Sequence, residues 1–195
     1  GQWDSANKFH QWCARMINQR AEAIERTIAG AAAGQPLVRE DTLNARYQVE
    51  GAAGPDDWPE FQLDGPALWI WSLAKYVEVC RVNPLPVYWE NAVELAARYL
   101  AAIWRTPCYD CWEELGTDVH ISTLAAIYAG LSAAEHLVAR LDFSAVKAEI
   151  KQFILTNGIT PGGELAKSVG VDAVDANLLL AALPEFGLLK PDDPL

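Results

Sequence analysis

Apolar residues recur every three to four positions in several blocks separated by turn residues, the spacing of helices with one buried face. Phe9, Trp12, Cys13, Met16, Ile17, Ile24 and Ile28 keep this spacing and predict a first helix ending near Gly30. From about Gly34 to Gln62 the pattern lapses into a loop carrying GAAGPDDWP. Loops of that length inside a compact domain are usually functional or mobile. Asp64 then reads as the N-cap of a helix opened by Gly65 and Pro66. The run PALWIWSLAKYVEVC is apolar almost all round until Lys75, which predicts a helix buried on several sides. After Pro86, Trp89, Val93, Ala96, Leu100 and Ile103 line one face only. The alternation then repeats: HISTLAAIYAGLSAAEHL is apolar and rich in small residues, whereas SAVKAEIKQFIL is amphipathic. A loop with Gly158, Pro161, Gly162 and Gly163 leads to VDAVDANLLLAAL, where Asp172 reads as an N-cap and Asp175 as a first-turn acid. No segments read as paired strands. Roughly six helices in alternating buried and amphipathic order predict an all-α fold, an inner layer wrapped by an outer one. A toroid of concentric helices fits that order better than a four-helix bundle.

Composition narrows the partners. The 195 residues are 51% hydrophobic, enough for one domain with a sizeable core. A net charge of −11 argues against nucleic acid or an anionic membrane as partner. No apolar run approaches the ~20 residues of a membrane helix, and no basic-then-apolar leader is visible. Four cysteines do not make a disulfide framework in a chain this long, so a cytoplasmic location is expected. The chain starts at Gly1 without an initiator Met and stops after LLKPDDPL, and is expected to be a piece of a longer protein. Tryptophan is abundant at eight residues, of which Trp58 and Trp112 lie in loop-like stretches beside carboxylates.

The stretch CYDCWEELGTDVH, residues 108–120, concentrates the chemistry. Cys108 and Cys111 have redox spacing but follow no strand of a βαβ unit. As a zinc site the stretch lacks a second CxxC or a spaced His pair, leaving His120 alone. Two half-buried structural cysteines are the simpler reading, and neither a metal nor another cofactor is expected. His120 reads as the opening of the next helix, and His136 as a solvated helical residue. Asp110, Glu113 and Glu114 stand beside Tyr109 and Trp112. In extended backbone Glu113 and Glu114 would point to opposite sides and serve different partners. A glutamate against an indole is poorly solvated as an anion, which suits a general acid. Helix-preceding surface charges are the commoner fate of such a cluster.

Three blocks in order then resemble the inverting exo-α-glucosidases of glycoside hydrolase family 15. YDCWEELG followed by HISTLAAIYAGL is similar to that family's catalytic-acid segment, Tyr-Asp-x-Trp-Glu-Glu before a helix. YQVEGAAGPDDWPEFQLDGPALWIWSLAKY resembles its loop ending in Trp-x-x-x-Gln-x-Asp-Gly. VDAVDANLLLAALPEFGLLKPDDP resembles its Asp-Ala-x-Leu-Leu-Leu and Pro-x-Asp-Asp-Pro segment. The resemblance implies an (α/α)6 toroid of which residues 1–195 form roughly half, as part of a single catalytic domain. It implies Glu113 as general acid, with Trp58, Trp112, Glu114 and the carbonyl of Cys111 lining the sugar site. Asp110 would help hold the loop. Gln62 and Asp64 match the second block, although helix capping explains Asp64 equally well.

The implied activity is hydrolysis of oligosaccharide from its non-reducing end, releasing β-glucose by inversion. The run around Trp112 to Leu124 leans towards α-1,6 isomalto-type substrates, with trehalose a further possibility in the family. Inversion requires a second carboxylate about 6.5–9.5 Å from the acid. The family's base lies downstream of the segments seen here, and its aromatic-x-Arg-Asp grip on glucose lies upstream, so the remainder of the catalytic domain is an implied partner. Leu63 stands where the family commonly has arginine. The competing reading is a glucosidase-like scaffold that binds sugar or protein without turnover.

Overall fold

A computed structural model describes residues 1–52, 54 and 60–190. Trp58 lies outside the described residues. Six α-helices run among the described residues: α1 Gln2–Gln19, α2 Ala21–Ala32, α3 Asp64–Cys80, α4 Val87–Ile103, α5 Ile121–Leu137 and α6 Ser144–Asn157. Short 3-10 helices occupy Arg39–Asp41 and Ala176–Ala182. Strand pairing among the described residues is limited to the isolated bridges His120–Ser168 and Ile159–Leu165.

The alternation in the sequence becomes two layers. α5 is the innermost element, with Ile121 to Ile127 buried without interruption. It packs on α3, whose Ala67, Ile70 and Leu73 are fully buried. The two axes come close because Gly130 lies on the α3 backbone, where a Cβ would stand 2.7 Å from the Ala67 carbonyl oxygen. Around this pair lie α1 and α2 against α4, and α6 against α5. The face of α4 expected to be buried is buried, from Trp89 and Val93 to Ala96, Leu100 and Ile103. α6 contributes Ile150 and Ile154, and His136 is exposed as expected. The chain is therefore all-α with inner and outer helices, half of an (α/α)6 toroid. No described helix is long and apolar enough to cross a membrane.

Several local expectations are corrected. The first helix is two, broken at Arg20, whose guanidinium bonds the carbonyls of Glu40 at 3.0 Å and Thr42 at 3.1 Å. Buried Ile17 and Ile24 keep the apolar face in register across the break, so periodicity does not reveal it. The several-sided burial of α3 does end before Lys75 as expected, with Leu73 its last buried residue and Val79 beyond it 59% exposed. Asp64 is the first helical residue rather than the cap, a position held by Leu63, and its Oδ1 accepts from the Gly65 N–H at 3.0 Å. The later cap is Asp175 rather than Asp172, and it opens a 3-10 rather than an α-helix. Asp172 precedes Ala173, whose carbonyl accepts from the Lys167 N–H at 2.7 Å and holds that stretch as a loop.

Candidate active site

Residues 104–120 join outer α4 to inner α5, and the carboxylate-rich stretch stands over the N-terminus of α5. The segment is not extended. Glu113 and Leu115 have φ of 62° and 49°, two of three non-glycine residues with left-handed backbone among those described. This conformation costs a residue with a Cβ about 1–2 kcal/mol and persists only where its surroundings impose it. Glu113 and Glu114 are consequently separated by a tight turn, not by strand alternation.

Asp110 imposes that turn. Its side chain is completely buried, and Oδ1 accepts from the backbone N–H of both Trp112 and Glu114, each at 3.0 Å. Its carbonyl accepts from the Glu113 N–H at 2.9 Å. Oδ2 accepts from Asn177 Nδ2 at 3.4 Å, tying the turn to the 3-10 helix beside α5. His120, 1% exposed, donates Nε2–H to the Leu115 carbonyl at 3.1 Å, since a carbonyl can only accept. Its Nδ1 then faces Asp110 Oδ2 at 3.9 Å. Further along, the Tyr109 N–H reaches the Phe61 carbonyl at 3.0 Å, and Ser168 Oγ donates to Asp118 Oδ2 at 2.7 Å. Gly116 lies flat on the Tyr109 ring, where a Cβ would meet Cζ at 2.6 Å.

The two glutamates are treated differently. Glu114 Oε2 is 2.6 Å from Lys167 Nζ, which also contacts Asp175 Oδ2 at 3.1 Å. Hydrogen bonding to Glu114, opposed by desolvation and assisted by Asp175, holds the Lys167 ammonium well above its ordinary range. Asp175 Oδ1 accepts from the Asn177 N–H and from Trp112 Nε1, each at 3.0 Å. Those bonds, the Asn177 N–H foremost, draw the Asp175 carboxyl below the usual range. Glu113 is half-buried, and its carboxylate has no ion pair or side-chain hydrogen bond among the described residues. Trp112 is 56% exposed although its one polar atom is bonded, so what it presents is carbon ring surface.

The structure thus brings together Asp110, Cys111, Trp112, Glu113 and Glu114 in one turn. Asp64 lies beneath it, its carboxyl pushed up mainly by burial and also by the nearby Asp110 charge. The Gln62 side chain lines a cavity of about 230 Å³ between α1 and the start of α3, with Trp12, Tyr47, Pro66 and Trp69. Lys167, Asp175 and Asn177 form the wall that sequence reasoning missed. The cysteines are free, but they are not a half-buried pair: Cys108 is buried and Cys111 exposed. Burial pushes the Cys108 thiol up to about 12 and raises that of Cys111, opposite to what a redox thiolate needs. No group of three metal-ligating side chains occurs among the described residues.

A family model, glycosyl hydrolases family 15, matches residues 1–194. The chain belongs to this family. The chain is similar to the isomaltose glucohydrolase of Kribbella flavida, 34% identical over 97% of this chain and 50% of that protein. A trehalase of Mycolicibacterium smegmatis is 33% identical over 54% of this chain and 16% of its own length. Among solved structures, a glycosidase variant in complex with glucose superimposes with a TM-score of 0.88 at 33% identity, and the wild-type glycosidase with 0.86. Both matches cover all of this chain and 53% of the other. The chain spans about half the length of the isomaltose glucohydrolase and glycosidase relatives that it matches end to end.

Proposed function

We propose that the protein carrying this chain is an exo-acting, inverting α-glucoside hydrolase that releases β-glucose, and that Glu113 is its general acid. The observation that carries the assignment is the contrast within one turn. Lys167 Nζ grips Glu114 Oε2 at 2.6 Å, which commits that oxygen to accepting a hydrogen bond. Among the described residues the Glu113 carboxylate has no ion pair or side-chain hydrogen bond, and it sits on a backbone conformation that its neighbours force. An acid must carry its proton to the glycosidic oxygen, and a lysine partner would oppose that.

The remaining roles are those that the motif resemblance implies. Glu114 accepts sugar hydroxyls beside the cleaved bond, Trp112 offers a ring face to a pyranose, and the Cys111 carbonyl and Trp58 complete the lining. Asp110 holds the turn, while Gln62 and Asp64 support the site from the start of α3. Residues 1–195 are part of a single catalytic domain. Its remainder supplies the base, a carboxylate about 6.5–9.5 Å from Glu113 that activates a water on the opposite face of the sugar. The likeness to an isomaltose glucohydrolase along nearly the whole chain, against about half of it for the trehalase, supports an α-1,6 preference. A cytoplasmic location is our reading of the free thiols.

The test is Glu113→Gln in the full-length protein, assayed on isomaltose, maltose and trehalose. Turnover should fall by a factor on the order of 10²–10⁴, the range of general-acid contributions, while glucose binding survives. The first anomer released from the wild-type protein, followed by NMR, should be β-glucose. Full turnover by the variant would overturn the acid assignment, and initial release of α-glucose would overturn inversion.

A further inference from the structure

We infer that Lys167 and Asp175 are positioning residues that set Trp112 and Glu114 for the sugar, a role resting on the hydrolase reading above. Lys167 is built into place twice. Its backbone spans the start of α5, with its carbonyl accepting from the Ile121 N–H at 3.2 Å and its N–H bonding the Ala173 carbonyl at 2.7 Å. The neighbouring Val169 N–H reaches the Val119 carbonyl at 3.0 Å, so the stretch is stitched to the end of the acid turn. The ammonium then bridges two carboxylates on different loops, Glu114 at 2.6 Å and Asp175 at 3.1 Å. Lys167 and Asp175 are largely buried, 14% and 17% exposed, whereas Glu114 is 58% exposed. A cation that is itself covered and grips one oxygen of an exposed carboxylate leaves the other oxygen for a ligand.

Asp175 extends the same clamp to the indole. With one oxygen on Lys167, it uses the other to accept from Trp112 Nε1 at 3.0 Å, fixing the rotation of the ring. The chain of contacts runs from Glu114 through Lys167 and Asp175 to Trp112, closing around Glu113 without touching its carboxylate. Lys167 therefore sorts two adjacent carboxylates, one pinned as an acceptor and one left for proton transfer. Neither Lys167 nor Asp175 handles the proton.

The test uses the full-length protein and three substitutions at Lys167 and Glu114. Lys167→Met should lower kcat/KM on isomaltose by a factor on the order of 10–100, the range for a displaced site group, with most of the loss in KM. Lys167→Arg should restore it to within about threefold, because a guanidinium can bridge the same carboxylates. In a Glu114→Gln background, Lys167→Met should cost clearly less in kcat/KM than it does in the wild type, since only the Asp175–Trp112 arm of the clamp is then left to lose. A purely structural lysine would instead give additive losses and a lower melting temperature with no KM bias, and that outcome overturns the inference. Glucose affinity measured by calorimetry separates the two readings. A wild-type protein that binds glucose but turns over no α-glucoside refutes the hydrolase reading, and weakened glucose binding in Lys167→Met then upholds the clamp. Wild-type protein that neither binds nor hydrolyses refutes both.

Discussion

Replacing Asp110 by alanine tests whether one buried side chain holds the turn at Glu113. The substitution removes a fully buried acceptor from two part-buried backbone N–H groups, those of Trp112 and Glu114. Each donor left unsatisfied and out of reach of water costs about 1–3 kcal/mol, so the two together cost up to about 2–6 kcal/mol if the turn cannot relax. Unfolding entropy of about 2.1 cal/mol/K per residue means roughly 1 °C per kcal/mol for a protein twice this length. Asp110→Ala should therefore lower the melting temperature of the full-length protein by about 2–6 °C. If the turn relaxes instead, the cost moves into function, because a reacting group misplaced by an ångström loses on the order of 10² in rate. Calorimetry and isomaltose kinetics on the same samples cover both routes. Asp110→Asn is the control: its carbonyl can still accept both N–H groups, and Asn177 can turn its unpartnered Oδ1 towards the new amide. An alanine variant that melts within 1 °C of wild type and keeps its turnover to within about twofold would refute the reasoning.

Three further outcomes are expected. Gly130→Ala should destabilise the protein, because overpacking against the rigid Ala67 backbone costs about 1–3 kcal/mol while the gain in helix propensity is at most about 1 kcal/mol; a raised melting temperature would contradict the close approach. His10 is buried against Tyr76 and Trp89 with an unpartnered Nδ1, and desolvation lowers its pKa below the ordinary 6.5. Its contribution to stability is thus full above pH 6.5 and falls as the pH drops through that value towards the lower folded one, so chemical unfolding between pH 7 and 5 should show a step that His10→Phe removes. Thiol labelling of the folded protein near pH 8 should modify exposed Cys111 well before buried Cys108, whose thiol is pushed up to about 12; prompt labelling of Cys108 would restore a redox reading of the pair.

Legibility in the sequence depended on whether a signal was local. The buried face of α4 and the all-round burial of α5 were readable because apolar periodicity records how many neighbours a helix has. The break at Arg20 was not, since the apolar register continues through it. The carboxylate-rich segment itself was marked by its Tyr-Asp-x-Trp-Glu-Glu pattern, and even its turn had a local cause, an aspartate accepting from the N–H two residues on. A left-handed glutamate is nevertheless not something composition announces. Lys167 was invisible for a different reason: it lies 53 residues from Glu114, and pairing of residue 168 with residues 118 and 120 brings it there.

The left-handed backbone at Glu113 bears on how this position can evolve. Glycine or asparagine would occupy a φ of 62° more comfortably than glutamate, so selection for folding alone would drift away from an acid there. If Glu113 is the acid proposed above, its strained backbone serves catalysis rather than folding. Screens for thermostable variants should meet the same opposition, enriching small residues at 113 wherever catalysis is not also scored.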